Sequence, residues 1–146
     1  MIELVLALVL ATPNGAVIPA SEARRYASDI AAVAQTPEEA ALLVTVANHE
    51  GSFDRRVETC AVTGDKGRAF SLYQLHRHWF AGDPARLCRS NREATETTLR
   101  VLRYLRKRTE GMADMFKAYI GCKENDSRIV KRIVTLGKLM EIARGG

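Results

Sequence analysis

Aromatic residues are scarce in this chain, at 6% with a single tryptophan, so its core has to be built from Ala, Leu, Val and Ile. Long apolar runs are missing too. The longest opens the chain in "MIELVLALVLATPNGAVIPA", and Leu4 to Ala11 falls far short of the roughly 20 residues that span a bilayer. No Lys or Arg precedes that run, and Glu3 stands where an export signal carries positive charge. Residues 1–20 therefore read as an apolar helix packed on the domain, with an atypical signal as the alternative, and 21–146 as the domain itself. The three cysteines, Cys60, Cys88 and Cys122, have no zinc-like spacing. An odd count without a framework points to free buried thiols, although Cys60 and Cys88 flank one loop-rich region and could pair under oxidising conditions.

Several catalytic signatures are also missing. "HE" at 49–50 lacks the second histidine of a zinc protease, because Phe53 stands in its place. "HRH" at 76–78 has no carboxylate or cysteine at ligand spacing, so it reads as a structural or surface pair. "GDKGRAFS" lacks the spacing of a phosphate loop, and Ser71 has no nucleophile-elbow context. These absences leave no metal or cofactor to expect. There is no internal repeat, linker or low-complexity segment.

What is present is a globular composition, 47% hydrophobic and 27% charged, with a net charge of +5 and a pI near 9.4. That charge suits an anionic partner such as a bacterial cell wall, a membrane surface or nucleic acid, and equally a merely solvated basic surface. Helical patterning dominates. "SEARRYASDIAAVA" (21–34) starts at a candidate cap, Ser21. "TPEEAALLVTVANHE" (36–50) combines a Thr36 cap, Pro37 at the first helical position and Glu39 closing a capping box, with Gly51 as a stop. "SNREATETTLRVLRYLRKR" (90–108) opens with a second box, Ser90 to Glu93, and "MADMFKAYI" (112–120) and "DSRIVKRIVTLGKLMEIA" (126–143) follow. Residues 51–69 are rich in turn formers, and "AFSLYQL" (69–75) alternates as a short strand or hairpin arm. The fold class is mostly α, with a small β element inserted after the helix that ends at Glu50.

Glu50 is out of place by helix electrostatics. The macrodipole puts partial negative charge at a helix C-terminus, where an anion is disfavoured. A carboxyl group in that position beside apolar residues such as "AALLVTVAN" and Phe53 suits a general acid, because both features favour its protonated form. A frayed helix end in water is the bland alternative.

Three motifs in order, "EGSF" (50–53), "GDKGRAFSLYQL" (64–75) and "KAYIGC" (117–122), resemble the lysozyme-like superfamily, nearest to goose-type lysozymes and soluble lytic transglycosylases. The resemblance spans 36–122. It implies a helical lysozyme-like domain whose hairpin follows the catalytic helix, with Glu50 as the catalytic acid. Gly51 replaces the usual serine, Ser71-Leu72-Tyr73-Gln74 replaces the Gly-Leu-Met-Gln core, and Ile120 departs from Ala-Tyr-Asn-Ala-Gly. The implied substrate is the peptidoglycan glycan strand, cut between N-acetylmuramic acid and N-acetylglucosamine.

A lytic transglycosylase needs one glutamate, since the sugar's own 6-hydroxyl is the nucleophile; a goose-type hydrolase would use Asp65 to place water. His76 stands where a second aspartate often follows the hairpin core, which favours the transglycosylase. By the same resemblance Ser71, Tyr73, Gln74, His76 and Tyr119 are expected to contact substrate. Asp54 and Glu58 read as solvated loop charges, Trp79 as an anchor for the helical lobe, and Arg100, Arg103, Arg106, Lys107 and Arg108 as a solvated face. The expected setting is the periplasm or cell envelope, or a phage virion or secretion assembly, for a protein monomeric as an isolated domain. Competing readings are a glycan-binding domain that does not cut and a small basic nucleic-acid-binding protein. The latter has the pI in its favour but no recognised binding motif.

Overall fold

The computed structural model describes residues 1–145, and its architecture is mostly helical. Eight α-helices are found among the described residues: α1 (Ile2–Leu10), α2 (Ala20–Val33), α3 (Pro37–Val46), α4 (Arg55–Glu58), α5 (Ala85–Arg89), α6 (Asn91–Arg108), α7 (Met112–Ile120) and α8 (Ser127–Gly145). Between α4 and α5 lies one antiparallel hairpin, β1 (Ala69–Phe70) paired with β2 (Leu75–His76), in the register Ala69 to His76 and Phe70 to Leu75. The segment 69–75 thus holds one arm, the turn and the start of the other arm, not a single strand.

Capping chemistry sets the two helix starts that frame the core. Thr36 Oγ1 accepts from the Glu39 backbone N–H at 3.1 Å, and the Glu39 carboxylate accepts from the Gln35 N–H at 2.8 Å. Ser90 Oγ accepts from the Glu93 N–H at 3.1 Å. The Thr36 and Ser90 bonds satisfy amide donors that a helix start leaves open. At α2 the chain turns in at Pro19 with no side-chain cap, so Ser21 lies within the first turn.

α1 packs mainly on α2, and α3 mainly on α8. Val5, Leu8 and Val9 of α1 are fully buried in the same core cluster as Leu43 and Val44 of α3, Leu102 of α6 and Leu139 of α8. α3 is the central element, since every residue from Ala40 to Val46 is buried. That explains the unbroken apolar run: a helix enclosed on all sides needs no polar face.

Two expectations are corrected here. Cys60 and Cys88 form a disulfide, tying the loop before the hairpin to α5, and only Cys122 is a free thiol. The pairing is between residues 28 apart, a closure that local spacing does not encode. Glu58 is buried, not solvated. Its carboxylate accepts from Arg25 Nη1 at 2.8 Å, Arg25 Nη2 at 2.7 Å and the Tyr26 hydroxyl at 2.8 Å. Burial, reinforced by the bond to Glu58, pushes the Tyr26 hydroxyl above its ordinary range. Asp54 does stay at the surface, where it caps α4 through the Arg56 N–H at 2.8 Å.

Candidate active site

Glu50 lies in a π-helical turn, Ala47–Gly51, that widens the end of α3. Such turns occur often at functional sites, because the wider ring tilts side chains out of the α register. The chain leaves it through Ser52 (φ 55°) and Phe53 (φ 49°), both left-handed. All seven non-glycine residues with positive φ among the described residues fall between Ser52 and Gln74. Each such conformation costs on the order of 1–3 kcal/mol, and persists only where the surroundings hold it. Strain in this molecule is thus concentrated in the segment joining the Glu50 turn to the hairpin.

The sequence suggests apolar surroundings for Glu50; the structure supplies a cation. Arg132 of α8 donates to Glu50 Oε1 through both Nη2 at 2.7 Å and Nε at 3.2 Å, and its Nη1 donates to the Arg128 carbonyl at 2.7 Å. Both side chains are largely enclosed, at 10% exposure for Arg132 and 15% for Glu50. Both donors converge on Oε1, and Oε2 takes no protein donor among the described residues and is not fully buried. The carboxyl group is held by one oxygen and available at the other.

Gly51 explains itself at this point. A Cβ there would lie 2.1 Å from the Leu72 carbonyl oxygen in the hairpin turn, so no side chain fits. Its role is close approach, while the left-handed cap expected of it falls to Ser52. Gly51→Ser, which would restore the residue usual in the resembled families, is expected to destabilise the fold by about 1–3 kcal/mol through overpacking. Urea unfolding measures this; an unchanged midpoint would mean that the hairpin turn yields freely.

The hairpin is held from a second side by Tyr119, whose hydroxyl donates to the Tyr73 carbonyl at 2.6 Å. Tyr119 is 2% exposed, and burial with the added negative charge of Glu50 pushes its hydroxyl well above the ordinary value. It adjoins Glu50 but presents no surface to a ligand, so its role is to clamp the hairpin. Tyr73 is fully buried, and its hydroxyl donates to Thr95 Oγ1 at 2.8 Å, since the Thr95 hydroxyl itself donates to the Asn91 carbonyl. Ser71 is 1% exposed, its Oγ accepting from the Tyr73 N–H at 3.4 Å. Ser71, Tyr73 and Tyr119, expected to contact substrate, are thus buried here, with their polar atoms engaged within the hairpin turn and with α6.

Gln74 and His76 keep accessible atoms. Gln74 Nε2 donates to the Ser71 carbonyl at 2.9 Å, and its amide lies over Gly64. His76 Nδ1 is 3.3 Å from Asp65 Oδ2, and Arg68 Nη2 reaches Asp65 Oδ1 at 3.4 Å. Asp65 is thus engaged with its own loop and shares no hydrogen bond with Glu50. The described residues contain no group of three or more His, Cys, Asp or Glu placed to hold a metal ion.

Arg132 is the partner of Glu50 that patterning overlooked. A signal exists, because it occupies the buried face of α8 with Ile129, Leu136, Leu139 and Ala143. A charge on an apolar stripe requires a buried partner. His49, the neighbour of Glu50, is hydrogen-bonded through Nε2 to Thr135 Oγ1 at 2.8 Å. Burial first, then the charges of Arg132 and Lys131, hold it below the usual histidine range.

A histidine buried in its neutral form contributes full stability above its unfolded value of about 6.5. That contribution is lost as pH falls from there through the depressed folded value. Replacing His49 by Gln is expected to flatten this acid-side loss between about pH 6.5 and 5. Thermal unfolding midpoints across that range are the check, and parallel curves for both proteins would refute it.

No protein-family model, curated protein or solved structure matches the chain. The lysozyme-like resemblance accordingly stands on the residues of this chain alone. No described helix is long and apolar enough to cross a membrane.

Proposed function

We propose that the protein cleaves peptidoglycan glycan strands at the β-1,4 bond between N-acetylmuramic acid and N-acetylglucosamine, as a lytic transglycosylase. The observation that carries the reading is a single enclosed carboxyl group, Glu50, anchored at Oε1 by Arg132 and without a protein donor at Oε2 among the described residues. Glu50 Oε2 delivers a proton to the leaving glycosidic oxygen, and Arg132 meets the negative charge left behind. The same Oε2 then accepts the proton of the muramyl 6-hydroxyl as that oxygen closes on the anomeric carbon. One carboxylate suffices, and no water has to be placed. A hydrolase would need a second carboxylate roughly 6.5–9.5 Å away for inversion or about 5 Å for retention. Asp65 is the sequence candidate, and its ties to His76 and Arg68 support the one-glutamate route instead.

The deciding experiment is mass spectrometry of the muropeptides released from purified peptidoglycan. Products with 1,6-anhydromuramyl ends, lighter by one water than reducing ends, are expected. Reducing ends would make the enzyme a muramidase and return Asp65 to the mechanism. No release would leave a glycan-binding domain.

A further inference from the structure

Away from Glu50, a groove of about 540 Å³ opens between the segment after β2 and the outer face of α6. That volume suits a ligand of one or two sugar rings. Trp79, Phe80 and Tyr104 form its walls, with Arg86 and Arg100 at its margin. Tyr104 is 46% exposed, an unusual position for a large ring in a chain this poor in aromatics.

The two arginines are uncommitted. Arg86 Nη2 donates only to the Ala81 carbonyl at 3.2 Å, and Arg100 Nη2 to Thr97 Oγ1 at 3.3 Å; neither pairs with a carboxylate among the described residues. Arg103, one turn along α6, contrasts with them in gripping Glu39 at 2.7 Å. The Trp79 indole N–H is enclosed without an acceptor. Two guanidinium groups without carboxylate partners, beside the half-buried Trp79 and Phe80 rings and the exposed Tyr104 ring, suit a ligand that carries an anion.

Ring geometry separates the candidate ligands. Trp79 and Tyr104 meet at 63° with centroids 6.3 Å apart, a V and not a parallel slot. One face of Tyr104 is already covered by the Arg108 guanidinium at 3.7 Å, and His78 packs on Trp79 at 4.6 Å. A flat nucleobase would find one ring at most to stack on. A puckered pyranose presents C–H groups to both walls and directs its substituents to the rim, where the arginines are. We propose that this groove is a binding subsite for an acidic pyranose, one bearing a carboxylate substituent as a muramyl residue does. It takes its polymer from the glycan reading of the Glu50 site but requires no cleavage.

Trp79 is the only tryptophan, so its fluorescence reports on the groove directly. The experiment titrates full-length protein carrying Glu50→Gln, which leaves the probes uncut, and the same protein with Arg100→Gln added. The probes are a muramyl tetrasaccharide with free lactyl carboxylates, a chitotetraose without them, and an oligodeoxythymidylate. Saturable change in Trp79 emission is expected with the muramyl probe, with roughly tenfold weaker affinity for chitotetraose and a similar loss on Arg100→Gln, as for one charge-assisted hydrogen bond. Arg100 is exposed on its helix, and an unchanged circular dichroism spectrum confirms that its replacement leaves the fold intact.

A silent Trp79, equal affinity for both sugars, or tighter binding of the oligonucleotide would each overturn the proposal. If wild-type protein releases no muropeptides while Trp79 titrates as expected, the groove stands and the catalytic reading falls. If release proceeds and Trp79 stays silent, the groove proposal fails alone.

Discussion

Glu50→Gln is expected to lower muropeptide release by roughly 10²–10⁴-fold, the usual worth of a positioned general acid. The amide keeps an oxygen for the Arg132 donors but can neither give up nor take the proton that each half of the reaction moves. Binding of insoluble peptidoglycan should survive, which separates lost chemistry from lost affinity. The substitution leaves Arg132 enclosed without a counter-charge, and removing one partner of a buried pair costs about 3–5 kcal/mol in the worst case. The control is the double variant Glu50→Gln, Arg132→Met, which removes both charges and should regain stability while remaining inactive. Release by Glu50→Gln within a few-fold of wild type would remove Glu50 from the mechanism.

Replacing Cys60 and Cys88 together by Ser is expected to cost roughly 3–4 kcal/mol, the chain-entropy value for a loop of this length. The link closes a 28-residue span that contains the hairpin and most of the left-handed residues. Little regular structure exists in that span to hold it otherwise, and the Ser71 N–H donates to Cys60 Sγ at 3.4 Å, which connects the disulfide to the hairpin turn. For a domain of this size the change corresponds to a fall in melting temperature of roughly 10 °C. Treating wild-type protein with a reductant should reproduce it. A loss below about 1 kcal/mol would show that side-chain packing alone orders the hairpin. Activity should fall with the reduced form, because the turn residue Leu72 is what Gly51 packs against beside Glu50.

The sequence by itself determined the long helices and the starts of α3 and α6, but not the short α4 and α5. Thr36 and Ser90 bond to amides three residues away, so the information lies within one turn of chain. The break at Glu50 and the turn-rich stretch after it were equally legible, since glycines and short polar residues act on their own backbone. So was the prominence of Glu50, because the clash with the helix dipole is local.

The contacts around Glu50 were decided in three dimensions. The Glu50–Arg132 pair joins residues 82 positions apart, and the Tyr119–Tyr73 clamp joins residues 46 apart. No local pattern carries such pairings, although Arg132 on the apolar face of α8 hinted that one existed. The motif order placed Ser71, Tyr73 and Tyr119 beside Glu50 but could not say which way they faced. Packing turned Tyr73 and Tyr119 inward, because burying their rings in the core removes more apolar surface from water than leaving them at the hairpin surface.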